Sequence, residues 1–240
     1  MCGRSSLTLT EKQIEERFNA TFYSDDLVQY NPLPNYNVAP SHFHPVITQS
    51  DPRMIHLYRW GLVPFWAKDP KIGYKMINAR KETLLEKPAF REAVKTRRCL
   101  IPIDGFYEWK KSGKKKTPFR IVPTNTKVVS LAGLCETWKQ PDGETLHTFT
   151  IITHEANDKI APIHNRMPAM LLPEIEEQWL DSEISPAEAL KILTPYPDDL
   201  IDYYQVSSNV NSVKNNDASL IDQVDESDNS PSEGDQLLLF

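Results

Sequence analysis

The sequence predicts a single β-rich α+β domain with a barrel-like antiparallel core and short peripheral helices. At least seven segments show the alternating or β-branched pattern of strands, and about four short segments are typical of helices. The two kinds of segment do not alternate along the chain, which argues against a doubly wound parallel sheet. We expect this domain to span residues 2–215 of the 240 residues.

A capping signal identifies the first helix. Thr10 followed by Gln13 is a capping box, and Ile14 and Phe18 lie four residues apart, on the face that we expect to be buried. Residues 24–44 are rich in proline and asparagine, and this composition predicts an irregular loop.

The other predicted helices are short and peripheral. One covers residues 82–95 with an interruption at Pro88, and a second covers residues 174–180. The third covers residues 186–193, with Ser185 as its capping residue and proline at its first position.

The predicted strands outnumber the predicted helices, seven to four. Their apolar residues alternate with polar ones, or they are rich in β-branched and aromatic side chains. They cover residues 45–49, 54–62, 99–103, 119–122, 127–138, 145–153 and 200–206.

Composition places the chain among ordinary soluble proteins. Hydrophobic residues make up 40% and charged residues 25% of the sequence, and no stretch has the roughly 18 apolar residues of a membrane span. The three cysteines have no disulfide-framework spacing, and no signal peptide is present. We therefore predict a cytoplasmic protein without a membrane partner, and a monomer because no zipper pattern is present.

The net charge of −6 is unevenly distributed. Residues 216–240 hold seven acids and no lysine or arginine, so the rest of the chain carries 27 basic and 26 acidic residues. We predict that this acidic tail is disordered, most clearly from about Asp222 onward. Residues 80–98 hold seven basic residues and three acids. Such a zone is typical of either a polyanion-binding surface or a solvated helix face.

Cys2 follows the initiator methionine and is small enough for that methionine to be removed. An N-terminal cysteine would carry an α-amine and a thiol on adjacent carbons. The amine pKa is about 7.7–8.0, so roughly a tenth of it is free base near neutral pH. A free amine attacks an aldehyde to give a Schiff base, and the neighbouring thiol closes it to a thiazolidine. A frayed terminus without function is the alternative from this residue alone.

Three other segments combine chemical groups with turn residues. Glu108 is flanked by aromatic residues after an Asp-Gly bend, Trp66 belongs to an aromatic loop with Gly and Pro, and His164 and Arg166 lie between two prolines. Two of these residues have a structural alternative: an outward-facing strand glutamate for Glu108 and a packed indole for Trp66. The five lysines of residues 110–116 indicate a solvated hairpin tip.

Six motifs, in this order, resemble the SRAP family, the SOS response-associated peptidase proteins of the YedK and HMCES type. They are Met-Cys-Gly-Arg at 1–4, Tyr-Asn-Val-Ala-Pro at 36–40, Trp-Gly-Leu-Val-Pro at 60–64, Ile-Asn-Ala-Arg at 77–80, Asp-Gly-Phe-Tyr-Glu-Trp at 104–109 and His-Asn-Arg-Met-Pro at 164–168. The resemblance covers roughly residues 2–215, and the acidic tail lies outside it.

This resemblance implies a protein that binds abasic sites in single-stranded DNA and protects them through a covalent crosslink at Cys2. It implies that Asn78 holds the Cys2 end, that Glu108 orients the amine and shuttles protons, and that His164 acts as acid and base at the sugar. It implies a DNA-binding set formed by Arg4, Asn37, Pro40, Trp66, Arg80, Thr153 and Arg166. No cofactor and no metal are implied.

Three other functions remain open from the sequence. The first is a thiol peptidase with Cys2 as nucleophile and His164 as base, with autocatalytic removal of Met1 as its limited form. The second is a metal protein, although neither C-x-x-C nor H-E-x-x-H occurs and His42 with His44 is a thin ligand set. The third is a non-catalytic single-strand-binding module. If the protein binds DNA, the acidic tail could compete with DNA for the basic groove.

Overall fold

The structure is a computed structural model that describes residues 2–29 and 33–224. Strands dominate these residues. They are β1 (Ser5–Leu7), β2 (Thr21–Phe22), β3 (Asn35–Val38), β4 (Phe43–Thr48), β5 (Asp51–Trp60), β6 (Asn78–Arg80), β7 (Arg98–Ile103), β8 (Gly105–Ser112), β9 (Lys115–Pro123), β10 (Val129–Lys139), β11 (Thr145–Glu155), β12 (Arg166–Pro168), β13 (Met170–Leu171) and β14 (Ile201–Gln205).

The helices of the described residues are short. The α-helices are α1 (Glu11–Phe18), α2 (Ser24–Gln29), α3 (Ala93–Thr96), α4 (Pro173–Leu180) and α5 (Pro186–Ile192). The 3-10 helices are Pro70–Lys75, Lys81–Thr83, Asp198–Leu200, Ser208–Asn211 and Ala218–Ile221.

A closed circuit of five strands forms the core of the domain. Strands β11, β10, β7, β4 and β5 pair in that order through antiparallel ladders. The circuit closes where β5 returns to β11 in parallel, with Arg59 opposite Thr148 and Trp60 opposite Phe149. The predicted β-rich domain with a barrel-like core is confirmed, and its closure leaves no free edge between these strands.

A second sheet packs beside the barrel in the order β14, β9, β8, β1 and β3. The chain passes from one sheet to the other at Asp104, between β7 and β8. The Asp104 carboxylate accepts hydrogen bonds from the hydroxyls of Ser6 and Thr8 at 2.5 Å, and from Arg120 at 2.9 Å. This buried, fully partnered carboxylate ties β1 to β9 at the junction of the two sheets.

Two large apolar clusters fill the interior. One lies between the barrel and helices α1, α4 and α5, and includes Ile14, Leu134 and Trp179. The other lies between the barrel and the second sheet, and includes Cys2 and Trp60. The frayed-terminus alternative for Cys2 is therefore wrong, because this residue is part of the core.

Most predicted elements are present, and two segments differ from the prediction. The capping box at Thr10 is formed, with its hydroxyl accepting from the backbone of Gln13. The predicted loop over 24–44 is wrong in part, because it contains α2 and β3. β3 forms because antiparallel pairing with β1 overrides local composition.

The predicted helix over residues 82–95 is also wrong for most of its length. The segment holds a single 3-10 turn, a series of turns and the four-residue helix α3. Pro88 lacks the amide that a continuous helix requires, and Leu84 and Phe90 are buried by successive turns.

The first residues of the predicted acidic tail pack onto the domain. Leu220 is fully buried in a small cluster with Tyr107, Val206 and Val210. The Val224 amide donates to the Gln205 carbonyl at 3.0 Å. The apolar side chain of Leu220 explains why this part of an acidic segment is ordered. The remaining tail, residues 225–240, lies outside the described residues.

In the described part of the chain, no helix is long and apolar enough to cross a membrane.

Candidate functional site

Cys2 is fully buried just before β1. Its carbonyl accepts a hydrogen bond from Asn78 Nδ2 at 2.7 Å. Its thiol lies 3.9 Å from the Arg4 carbonyl. Burial raises the pKa of the Cys2 thiol far above its ordinary value, and the negative charge of Glu108 raises it further. The sulfur is therefore held as a neutral thiol at pH 7.

Asn78 reaches Cys2 because β6 lies alongside β11. The two strands are parallel, with Asn78 opposite Ile151 and Arg80 opposite Thr153. Side chains two residues apart on a strand share a face and lie roughly 7 Å apart. Asn78 and Arg80 therefore face the same side of β6, with Asn78 at the Cys2 backbone and Arg80 exposed to solvent.

Glu108 lies on β8, which is the direct neighbour of β1. The Tyr107 amide donates to the Arg4 carbonyl at 2.9 Å, so the next residue along β8 lies beside the residues that precede Arg4. Glu108 is only 3% exposed. The outward-facing alternative for this glutamate is therefore wrong, and its carboxylate is buried close enough to Cys2 to influence the thiol.

A surface groove of about 600 Å³ lies next to this buried site. Arg80, His164 and Arg166 line it, together with Glu155, Ala156, Ala161 and Asn165. His164 Nδ1 lies 3.0 Å from the Arg166 amide nitrogen and 3.1 Å from the Arg166 carbonyl oxygen, so the backbone of Arg166 fixes the orientation of the imidazole. The fold thus brings three of the predicted site residues to one groove.

Arg166 is held in this groove by a carboxylate. Its two terminal nitrogens bind the two oxygens of Glu82 at 2.9 and 3.0 Å. Arg166 Nη2 also donates to the Thr153 carbonyl at 2.7 Å and to the Thr153 hydroxyl at 3.3 Å. Thr153 is fully buried, so its side chain supports Arg166 and does not line an open channel.

Arg4 and Asn37 are joined to the segment that follows β14. Arg4 Nη1 donates to Asn37 Oδ1 at 2.8 Å and to the Val210 carbonyl at 2.6 Å, and Nη2 donates to the Asn211 carbonyl at 3.1 Å. Asn37 is 1% exposed and donates to the Ser212 and Asn215 carbonyls. In this arrangement both side chains anchor the N-terminal strand.

Pro40 and Trp66 are not among the residues that line this groove. Pro40 is half-buried, and the amide of the next residue, Ser41, donates to the Trp60 carbonyl at 2.8 Å. Trp66 is 49% exposed and its neighbour Phe65 is 62% exposed. The Trp138 indole donates to the Ala67 carbonyl at 2.7 Å and holds this aromatic loop against the barrel. The packed-indole alternative for Trp66 is wrong.

Comparison with known proteins decides the family. Residues 1–213 match the SOS response associated peptidase (SRAP) family. This chain belongs to the SRAP family. A relative named abasic site processing protein YoqW, from Bacillus subtilis, is 45% identical over 225 residues, covering 92% of this chain and 99% of that protein.

Other matches extend the SRAP relationship. The abasic site processing protein HMCES of Gallus gallus is 34% identical, covering 90% of this chain and 75% of that protein. A crystal structure of a Bacteroides thetaiotaomicron protein superimposes with a TM-score of 0.86 at 29% identity, covering 93% of this chain and all of that one.

Two features of this SRAP site were missed by sequence reasoning. The first is the ion pair between Glu82 and Arg166. The only signal for it in the sequence is that Glu82 is an acidic residue within the basic zone. Val210 and Asn211 hold Arg4 through backbone carbonyls, which no side-chain pattern reveals. Within the predicted basic zone, Arg98 is fully buried and donates to the carbonyls of Val94 and Trp179, so it is unavailable to a polyanion.

The site shows no metal-binding arrangement in the residues from 2 to 29 and from 33 to 224, where no group of three or more His, Cys, Asp or Glu side chains converges. His44, one of the two histidines considered as ligands, is buried and donates from Nε2 to the Pro102 carbonyl at 2.6 Å.

Proposed function

We propose that this protein recognises abasic sites in single-stranded DNA and captures them through the N-terminal amine and thiol of Cys2, after removal of Met1. The observation that carries this proposal is the hydrogen bond from Asn78 to the Cys2 carbonyl, beside a buried Glu108 and a groove lined by two arginines. The names of the relatives, abasic site processing proteins, support the same substrate. Met1 itself lies outside the described residues.

The reaction consumes the ring-opened aldehyde of the abasic sugar. The free α-amine adds to the aldehyde carbon, and loss of water gives an imine. The thiol then adds to the imine carbon, forming a carbon–sulfur bond while its proton passes to nitrogen. The products are a five-membered thiazolidine and one water molecule. Because both nucleophiles belong to one residue, the ring closure is intramolecular.

Each neighbouring side chain has a distinct task in this proposal. Asn78 restrains the Cys2 backbone, so that the amine and thiol have one orientation. Glu108, on the strand beside the residues that precede Arg4, accepts a proton from the amine and returns it to the departing hydroxyl. His164, with its ring orientation fixed by the Arg166 amide, delivers protons at the sugar from the groove side.

DNA contact would combine phosphate binding with stacking. Arg80 is exposed in the groove, and Arg166 becomes a phosphate ligand once Glu82 gives way. The exposed rings of Trp66 and Phe65 offer faces on which bases of a single strand stack. Pro40 is joined to the strand that precedes these rings, through the hydrogen bond from the Ser41 amide to the Trp60 carbonyl. Arg4, Asn37 and Thr153 contribute by holding these elements in place.

The peptidase alternative has less support from the site. A thiol peptidase attacks through a thiolate, which requires a lowered thiol pKa. Burial and Glu108 instead raise the pKa of the Cys2 thiol. A neutral thiol suits addition to an imine, where its proton is transferred as the bond forms. Limited removal of Met1 remains compatible with the crosslinking proposal.

Denaturing electrophoresis tests the proposal directly. Protein lacking Met1 is mixed with a single-stranded oligonucleotide that carries one abasic site, then heated in SDS. We expect a shifted band with the unmodified protein and none with Cys2→Ala. Borohydride should trap an imine band with Cys2→Ala, because the α-amine is still present. This separates the imine step from the thiol step.

Two controls complete this test. Cys135→Ser changes another buried cysteine and should retain the heat-stable band. A form that retains Met1 has an acylated Cys2 nitrogen and should give no band. A full yield with Cys2→Ala and no borohydride would show that the protein binds abasic DNA without thiazolidine chemistry. No band with correctly processed protein would refute covalent capture.

A further inference from the structure

The turn between β8 and β9 carries a dense positive charge that the site does not use. We call it the lysine hairpin, defined by Lys110, Lys111, Lys114, Lys115 and Lys116. All five side chains are exposed. None of them forms an ion pair with another residue in the described part of the chain. Like charges at this density repel one another and are stabilised by a polyanionic partner.

The chain leaves the described domain beside this hairpin. The Val224 amide donates to the carbonyl of Gln205, the last residue of β14. Gln205 is paired with Phe119 of β9, and Phe119 is paired with Glu108 of β8. Lys116 lies three residues from Phe119 along β9, which corresponds to roughly 10 Å. Val224 lies two strand spacings across the sheet from Phe119, which is also roughly 10 Å, so its backbone is roughly 14 Å from that of Lys116.

The sequence that follows has the complementary charge. Residues 225–240 hold Asp225, Glu226, Asp228, Glu233 and Asp235, and no lysine or arginine. Three of these five acids are among the first four residues. Four residues span up to about 14 Å when extended, which matches the roughly 14 Å from Val224 to the Lys116 backbone. The five acids of residues 225–240 are therefore within reach of the five lysines of the lysine hairpin.

We propose that the lysine hairpin is the docking surface for the chain's own acidic segment, residues 225–240. Covalent attachment supplies that segment at an effective concentration on the order of mM, so weak contacts suffice. Because the charges are solvent-exposed, docking depends on salt and weakens above about 0.15 M. The docked segment lowers the positive charge next to Glu108, without entering the Cys2 site.

Two other roles for the lysines give different outcomes. Lysines on an edge strand prevent pairing with another sheet, and β9 has no β14 partner beyond Pro118. Lysines also bind nucleic acid phosphates without any tail. Neither role requires contact between residues 225–240 and the hairpin in protein that is free of DNA.

Zero-length coupling with a carbodiimide tests the contact in the full chain without DNA. This reagent joins lysine amines to carboxylates that touch them, and mass spectrometry identifies the joined peptides. We expect the acids of residues 225–240 to couple to the lysine hairpin about fivefold more than to the exposed Lys127, Lys139 and Lys191, and about 0.5 M salt should abolish the preference. Equal coupling to all lysines overturns the proposal.

A charge-matched pair of variants removes the remaining ambiguity. Lys114, Lys115 and Lys116 are changed together to arginine or to glutamine, and coupling is read at the unchanged Lys110 and Lys111. The arginine variant keeps the charge and should keep the coupling, whereas the glutamine variant should lose most of it. Equal coupling in the two variants refutes charge-based docking. The assay uses no DNA, so its outcome is independent of abasic-site capture.

Discussion

At the scale of single residues, Asn78 makes the contact on which the Cys2 geometry depends. Its Nδ2 donates to the Cys2 carbonyl, and its Oδ1 is buried without a hydrogen-bond partner among the described residues. Asn78→Ala should lower the crosslinking rate about 3- to 10-fold, because it removes one hydrogen bond of about 0.5–1.5 kcal/mol. Asn78→Asp should lower it further, since a carboxylate would face the carbonyl oxygen. Single-turnover gel assays measure both rates.

Asn125→Ala is the matched control for this pair. Asn125 is exposed and accepts a hydrogen bond from the Tyr196 hydroxyl at 3.4 Å, away from Cys2. The crosslinking rate of the Asn125→Ala variant should equal that of the unmodified protein. Rates for the alanine and aspartate variants of Asn78 that equal the rate of the unmodified protein would contradict the orientation role, because loss of the donor would then have no effect.

Glu82 competes with DNA for Arg166 in the proposed function. Burial opposes its ionisation, but the hydrogen bonds and charge of Arg166 outweigh this and lower the pKa of Glu82. Its pairing with Arg166 is therefore complete above the ordinary glutamate pKa and is lost as the pH falls through the lowered value. Glu82→Gln should raise the affinity for undamaged single-stranded DNA about 3- to 10-fold at low salt. Fluorescence anisotropy measures this affinity.

Glu92→Gln is the corresponding control for Glu82→Gln. Glu92 forms an exposed ion pair with Lys95 at 3.0 Å, outside the groove. The Glu92→Gln variant loses the same charge as Glu82→Gln, so its affinity for single-stranded DNA reports the effect of net charge alone. If both variants bind equally well, Glu82 does not block Arg166.

Some of the predicted site residues have the expected contacts, and others do not. Cys2 and Asn78 were paired through the resemblance, and the hydrogen bond between them is present. Thr153 and Asn37 were assigned to DNA, but both are buried and hold other residues. A motif identifies which residues matter, whereas exposure depends on neighbours that are distant in sequence. The site assignments themselves remain predictions.

At the scale of elements, one glycine contact positions the aromatic loop of residues 61–69. Gly61 has φ +115°, and a Cβ there would lie 2.7 Å from the Gly73 carbonyl oxygen. The Leu62 amide donates to the Met76 carbonyl at 3.1 Å, so the loop and the following 3-10 helix are joined at both points. Gly61→Ala should destabilise the fold by more than about 2 kcal/mol, from strain and clash together. Urea unfolding measures this change.

Gly113→Ala provides the comparison. Gly113 also has a positive φ of +59°, but no atom lies within 4 Å of its Cβ position. Gly113→Ala should lower the free energy of unfolding by only about 1 kcal/mol, because it adds conformational strain without a clash. Equal costs at the two glycines would mean that the Gly73 contact relaxes freely, and that the aromatic loop is not held by it.

Predicted strands were more successful than predicted helices, and the reason is physical. Each of the seven predicted strands lies on an observed strand, because alternation reports the two faces of a sheet directly. The helix over residues 82–95 failed because charged residues with high helix propensity occupy turns that bury Leu84 and Phe90. β3 was missed because its four residues depend on a partner strand.

At the scale of the whole molecule, buried His44 makes the fold sensitive to acid. Burial lowers the pKa of His44 from 6.5 to about 4, against the opposing effects of the Pro102 carbonyl and Asp104. The unfolded chain binds this proton at higher pH than the folded chain does. Stability from neutral His44 is therefore complete above pH 6.5 and declines toward about pH 4, by about 3 kcal/mol.

Chemical denaturation at a series of pH values tests this dependence. The free energy of unfolding should fall between pH 7 and pH 4, and His44→Gln should make the fall smaller by about 3 kcal/mol. A neutral amide at this position preserves a donor for the Pro102 carbonyl. Identical pH profiles for the two proteins would exclude His44 as a source of acid sensitivity.

The closure of the barrel was beyond sequence reasoning. Strand patterns predicted a barrel-like core, but the pairing of Trp60 with Phe149 joins residues almost ninety positions apart. Many registers satisfy the same alternation, and the observed one depends on packing throughout the interior. The sequence therefore predicted the class of fold and left its topology open.

The anchoring of Arg4 has a consequence for the order of events during synthesis. The first strand leaves the ribosome early, but its partners Val210 and Asn211 are made 206 and 207 positions later. At 5–20 residues per second this interval is roughly 10–40 s. During that time the Cys2 end lacks its final anchor. Processing enzymes that act on nascent chains have this interval to reach it before the fold encloses Cys2.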